Sequence, residues 1–104
     1  MENATTTAYA ASLVVSALPA TLLGLTGHNS SASAQFIQLH DAKTLPADTA
    51  IPKIIISVAA STSFGIDFAS IGRKFDSGIV ICNSSTAATK TIGSADCWFD
   101  VQYR

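Results

Sequence analysis

The segment DCWFDVQY (96–103) decides how this chain folds, because its residues alternate in character over its whole length. Successive side chains of a β-strand point to opposite faces of a sheet, so every second residue belongs to the same face. One face of this strand is apolar and belongs in a core, and Trp98 and Asp100 lie on the other face. The core-facing residues of this strand are Cys97, Phe99, Val101 and Tyr103.

Shorter segments upstream show related patterns. In SFGIDF (63–68) three apolar residues, Phe64, Ile66 and Phe68, fall on one face. The run III (54–56) is apolar on both faces, which predicts a strand that is central or covered on both sides. Strands are predicted at 13–18, 21–26, 34–40, 53–59, 63–69, 78–83 and 96–103, with a short helix over 8–17 as the alternative to the first strand.

The predicted strands are short and are separated by segments rich in Gly, Pro, Ser, Asn and Asp, which mark turns. Seven such strands, spaced by about ten residues, are typical of an all-β fold: an antiparallel two-sheet sandwich of the Ig-like or jelly-roll type. A length of 104 residues fits a single domain. The predicted loops are 27–33, 41–52, 70–77 and 84–95.

The composition excludes a function that depends on strong charge. Only 12% of the residues are charged and the net charge is −1, whereas ordinary domains have about 25% charged residues. No basic stripe is present, so a nucleic-acid partner is not expected. Ala, Ser and Thr together account for 41 of the 104 residues, and this low-charge composition hints at burial against partners.

The leading third of the chain carries no formal charge between residues 3 and 40. Its first twelve residues are too small and too polar to form a core, so they are either a disordered tail or an arm that orders on a neighbour. Fully extended, such a segment reaches about 40 Å, far enough to cross to another subunit. We therefore expect an extended N-terminal arm over 1–16 and a β-sandwich domain over 17–104.

The apolar stretch 9–25 raises the question of a membrane span. Ser12, Ser16 and Pro19 interrupt it, and no basic residues flank it to set an orientation. No membrane association is therefore expected.

Reactive residues are few and do not form a known catalytic or metal-binding pattern. His40 and Asp41 are adjacent, but no Gly-x-Ser-x-Gly motif accompanies them. Neither zinc nor calcium spacing is present, so we expect a protein that is not an enzyme and has no cofactor. Cys82 and Cys97 are interpreted as two buried thiols, with a disulfide as the alternative if the last two strands form a hairpin.

The segments FIQLHD (36–41), GIVICNSS (78–85) and ADCWFDVQY (95–103) resemble a group of small virion structural proteins of tailed bacteriophages. The resemblance covers about residues 22–103. It implies a β-sandwich built into the particle as a capsid decoration (cement) protein on the outer capsid surface, assembled in the host cytoplasm. Its implied partners are the major capsid protein, across capsomer junctions, and further copies of itself in a dimer or trimer.

Candidate partner-binding residues are placed in the leading segment and in the last strand. Small side chains permit close approach of a strand to the edge of a partner sheet, and an aromatic residue outside the core is typical of an interface. The alternative function is a tail- or fibre-associated module that binds a receptor or carbohydrate through Trp98 or Tyr103 beside Asp100 and Gln102. The candidate partner-binding residues are Ala4, Tyr9, Leu13, Val14 and Trp98.

Overall fold

A computed structural model describes all 104 residues and contains nine β-strands and no helix. The chain has no helix long and apolar enough to cross a membrane. The strands are β1 (Glu2–Thr5), β2 (Ser12–Ser16), β3 (Ala20–Asn29), β4 (Gln35–His40), β5 (Ile54–Val58), β6 (Thr62–Asp67), β7 (Arg73–Phe75), β8 (Ile79–Ser84) and β9 (Cys97–Tyr103).

The strands form two antiparallel sheets, which confirms the predicted two-sheet sandwich. Sheet A has the order β1-β9-β3-β6, with the short β7 also paired to β3, and sheet B has the order β2-β8-β4-β5. If β7 is left out, the strand pairs are nested along the chain: β1 pairs with β9, β2 with β8, β3 with β6, and β4 with β5. This nested pairing is that of a jelly roll, so the topology decides between the two predicted sandwich types.

The core lies between the sheets and is built from the faces that alternation assigned to it. Along β9 the buried residues alternate with partly exposed ones, as predicted, and Phe99 and Val101 are fully buried. Along β6 the residues Phe64 and Ile66 pack against the core while their neighbours are exposed. The buried apolar cluster comprises Val15, Ala20, Leu22, Leu25, Ile37, Leu39, Val58, Phe75, Ile79, Ile81, Cys97, Phe99 and Val101.

The extended N-terminal arm is not confirmed, because the leading segment is part of both sheets. β1 pairs with β9 in sheet A, and β2 pairs with β8 in sheet B. Between them, the buried Thr6 hydroxyl accepts the Phe99 N–H (3.1 Å), and Ala10 forms a β-bridge to Cys97. Each of the two strands pairs its main-chain groups with the neighbouring strand and becomes the terminal strand of its sheet, which gives a physical reason for their folding back.

The prediction that the strand at 53–59 is central or covered on both sides is wrong. β5 is the edge strand of sheet B and pairs only with β4. Its side chains Ile54 and Ile56 pack against the core, whereas Ile55 points outward and is 45% exposed. An apolar residue on the solvent side of an edge strand therefore produced the same sequence pattern as a strand buried on both faces.

Two predicted loops contain strand residues. β3 continues to Asn29 and takes up the start of the predicted loop 27–33. β7 lies within the predicted loop 70–77 and buries Phe75 completely. The last two long strands, β8 and β9, lie in different sheets, so the hairpin that would have joined Cys82 to Cys97 does not form. Both cysteines are free and buried.

Candidate functional site

The structure divides the predicted partner-binding residues between the core and the surface. Ala4 and Leu13 pack against the core, so their side chains support the fold. Val14 is 45% exposed and points outward from sheet B. Tyr9 and Trp98 meet on the outside of sheet A, with ring centroids 6.1 Å apart and planes at 86°. Of the predicted set, only these two aromatic residues come together as a surface feature.

The central part of the outer face of sheet B, on β4, is covered by the chain itself, whereas Val14 and Ile55 on the edge strands remain exposed. Gln38 and His40 point to this outer face, yet they are only 0% and 2% exposed. The Gln38 amide nitrogen lies within hydrogen-bond distance of three loop carbonyl oxygens, those of Thr86 (2.9 Å), Ala87 (2.8 Å) and Thr89 (3.1 Å). The loop between β8 and β9 is thereby held over the sheet.

The β8–β9 loop that covers sheet B is also bound to the long β4–β5 loop, through the buried side chain of Lys90. Lys90 is 3% exposed, and its Nζ lies 2.6 Å from Asp48 Oδ1. Burial, together with the nearby Lys90 charge, lowers the pKa of His40. The imidazole of His40 is therefore neutral at pH 7 and pairs with Gln38 Oε1 at 3.1 Å.

The adjacent His40 and Asp41 serve separate structural tasks. Asp41 accepts hydrogen bonds from the backbone N–H groups of Ser77 (2.7 Å) and Asp76 (3.0 Å), which fixes the turn before β8. Burial acts to raise the pKa of Asp41, but these backbone donors and the Lys53 charge outweigh it and hold the pKa below its ordinary value. No three His, Cys, Asp or Glu side chains meet in a group that could hold a metal ion.

The outer face of sheet A lacks a cover like that on sheet B: most of its side chains are partly or fully exposed, and Tyr9 of the β1–β2 loop packs against Trp98. The strand registers place its side chains in rows that run across the sheet. One row holds Trp98, His28 and Ser63, and the next holds Thr5, Asp100, Thr26 and Gly65. A third row holds Asn3, Gln102, Gly24 and Asp67. We call this surface the bare face: its central strands β9 and β3 carry Trp98, Asp100, Gln102 and His28, and Gly65 lies on the edge strand β6.

A second unusual surface is one end of the sandwich, where aliphatic side chains project from separate loops. Leu18, Ile51 and Ile71 are 70%, 81% and 86% exposed. The loops that carry them adjoin one another: Gly78 lies against both Ser16 O and Ala42 O, and Gly72 lies against Thr21 and Leu22. We call Leu18, Ile51 and Ile71 the apolar end.

Most of the positive charge lies at the same end. The exposed Lys43, Arg73, Lys74 and Arg104 flank the loops of the apolar end, whereas only Lys53 and Lys90 among the six cations are tied by internal ion pairs. Sequence reasoning missed this surface, because a single aliphatic residue in a turn shows no periodicity. The available signal was an isolated Leu or Ile inside a turn-forming segment, at each of the three positions.

Comparison of the chain with protein-family models, with curated proteins and with solved structures found no match.

Proposed function

We propose that this chain is a non-enzymatic structural protein of a bacteriophage virion, a decoration (cement) protein that binds across capsomer junctions on the outer capsid surface. The apolar end is the observation that carries the proposal. Three loops at one end of the sandwich expose Leu18, Ile51 and Ile71, and exposed aliphatic side chains gathered at one end are typical of a surface that a partner covers. The resemblance of the strand segments to small virion proteins supports the same role.

The apolar end would contribute part of the free energy of docking. Fully burying an aliphatic side chain of this size contributes roughly 1.5–3 kcal/mol, so the three side chains together offer about 5–9 kcal/mol before the costs of association. The charged groups around the apolar end include the cations Arg73 and Lys74 and the acidic Asp76, which suits a partner with polar groups of both signs around its apolar pockets. A protein that binds only the assembled shell stabilises that shell by mass action.

The size of the end argues for several copies acting together. The two shorter dimensions of the molecule are 25 and 21 Å. One end therefore offers roughly 500 Å² per copy, near the lower limit for a specific interface. A dimer or trimer would multiply the contact and gain affinity from effective concentration. The proposed partners are accordingly the major capsid protein and further copies of this chain.

The test is co-sedimentation with capsids of the source particle that lack this protein. Leu18→Ser, Ile51→Ser and Ile71→Ser combined should abolish capsid occupancy and the gain in capsid heat stability. The matched control combines Val14→Ser and Ile55→Ser, two aliphatic positions that are each 45% exposed outside the apolar end. The control should bind as the wild-type protein does.

Two outcomes would contradict the proposal. Equal capsid occupancy by the apolar-end variant would show that this surface is not the contact. Binding of the wild-type protein to anionic vesicles but not to capsids would assign the apolar end to a lipid surface. A cryo-electron microscopy map of the virion would separate a head position from the alternative position in the tail or fibre.

A further inference from the structure

Gly65 has no structural reason to be glycine. It lies in the middle of β6, its φ is not positive, and a Cβ built on it would meet only Leu25 O at 3.4 Å and Thr26 Cγ2 at 3.5 Å, which are ordinary contacts. At each of the other five glycines a Cβ would crowd a neighbour at 3.2 Å or less. A glycine inside a strand weakens the strand, and it otherwise marks a place where a ligand approaches closely.

The absence of a side chain at Gly65 keeps a trough open on the bare face of sheet A. Its floor is Thr26 and Gly65, which are neighbours on β3 and β6. On the neighbouring strand β9, Asp100 lies beside Thr26, and Trp98 and Gln102 flank Asp100 with about 13 Å between them along the strand. Beyond Gln102 the trough opens into a depression of about 530 Å³.

The groups that line the trough have unused hydrogen-bonding capacity. Asp100 accepts hydrogen bonds from Thr5 Oγ1 (3.0 Å) and Gln102 Nε2 (3.2 Å) through Oδ1 alone, which leaves Oδ2 free. His28 pairs with Ser63 through Nδ1 (3.0 Å) and leaves Nε2 free. Several hydrogen-bond donors and acceptors of fixed orientation therefore lie around a floor of small residues.

One wall of the trough is aromatic. Trp98 is partly exposed and packs against Tyr9 with the two ring planes nearly perpendicular, and Tyr9 itself is 53% exposed. An indole ring braced in this way presents an apolar plate with a polar N–H. An aromatic plate beside fixed carboxylate, amide and imidazole groups is the combination that recognises a pyranose ring, because a sugar has an apolar C–H face and hydroxyl groups around its rim.

The charge of the trough narrows the ligand class. Asp100 and Asp67 are both acidic and only Arg104, at the far end, is basic. Phosphate groups and nucleic acids would be repelled by the carboxylates. An extended peptide would add to the free edge of β6 at the border of the sheet, and that mode of binding would not use the side chains of the outer face. We propose that the bare face of sheet A is a binding site for a neutral oligosaccharide, seated over Gly65 and stacked on Trp98.

Trp98 is the single tryptophan of the chain, so its fluorescence reports on the trough directly. The wild-type protein is titrated with the hexaoses of cellulose, starch, mannan and chitin and with a galactan, and with an oligothymidylate and an acidic peptide as other ligand classes. At least one saccharide should shift Trp98 emission in a saturable way, and the other classes should not.

Gly65→Gln fills the trough without touching the core and keeps the reporter. It should weaken saccharide binding about tenfold or more, a loss well outside the error of a titration. The control is Ser57→Gln, which adds the same side chain at an exposed strand position on the other sheet and should bind normally. Trp98→Ala, followed by calorimetry, should also lose binding.

Unchanged binding by Gly65→Gln, no saturable response to any saccharide at millimolar concentration, or a response to the peptide or oligothymidylate instead would each overturn the assignment. The result is independent of the proposed capsid contact. Gly65→Gln should retain capsid occupancy, and the apolar-end variant should retain saccharide binding.

Discussion

Replacing Gln38 by leucine tests whether the cover over sheet B is held by this one buried amide. The Gln38 side chain is fully buried, and its two N–H hydrogens serve three loop carbonyl oxygens at 2.8–3.1 Å. Its Oε1 also accepts a hydrogen bond from His40 at 3.1 Å. Leucine has a similar volume and is apolar, so it removes these hydrogen bonds without opening a large cavity.

The magnitude follows from the hydrogen bonds that are lost. Each intramolecular hydrogen bond contributes about 1 kcal/mol net, and each buried polar group left without a partner costs about 1–3 kcal/mol. Some of the loop carbonyls can regain water, so we expect Gln38→Leu to lower the free energy of unfolding by about 2–3 kcal/mol. For a domain of this size, that corresponds to a fall in Tm of roughly 8–20 °C.

The assay combines urea denaturation with amide hydrogen exchange. Because the loop is fastened by the amide, exchange should accelerate most in residues 85–91, which cover sheet B. The control is Gln35→Leu on the same strand, since Gln35 Oε1 is buried without a partner and its removal should cost little. A stability loss below about 0.5 kcal/mol in Gln38→Leu, which is within ordinary surface-mutant effects, or unchanged exchange in 85–91, would refute the reasoning.

Three further predictions concern single residues. Burial raises the pKa of Cys82 and Cys97 to about 11, so both thiols should react with a thiol reagent at pH 7 only after denaturation, and fast labelling of the native protein would contradict this. The pKa of Asp41 in the folded protein lies below its ordinary 3.8, so the stabilisation by its carboxylate is present above pH 3.8 and is lost as the pH falls through the lower folded pKa. Asp41→Asn should therefore lower the free energy of unfolding at pH 7 more than at pH 2. Urea titrations at the two pH values measure this difference. Gly27→Ala should destabilise strongly, because its Cβ would clash with the Trp98 carbonyl oxygen, whereas Gly65→Ala should raise stability by about 0.5 kcal/mol in the same denaturation assay.

The strand alternation was predictable because it is a local property. In β9 and β6 the period of two residues identifies the core face directly, and the structure confirms Phe99, Val101, Phe64 and Ile66 on it. The pattern fails at positions where the burial of a side chain does not follow its polarity. Ile55 is apolar but exposed at a sheet edge, and Gln38 is polar but buried beneath a loop, so neither position follows from the residue type.

The candidate sites, like the fold, were only partly predictable from the sequence. Trp98 was identifiable from the sequence as an aromatic residue outside the core, and the structure adds Tyr9 as its neighbour. The trough over Gly65 was not identifiable, because glycine in a strand has several causes and only the surrounding atoms distinguish them. The apolar end combines Leu18, Ile51 and Ile71 from three loops that are far apart in sequence.

The sequence by itself determined that this chain is an all-β sandwich with a low-charge surface, because side-chain alternation and composition act residue by residue. The tertiary structure decided the jelly-roll order, the return of the leading segment into both sheets, and the difference between a covered and a bare outer face. These features depend on which distant strands pair and where loops come to rest. Such contacts are set by the free energy of the whole chain, and no local pattern records them.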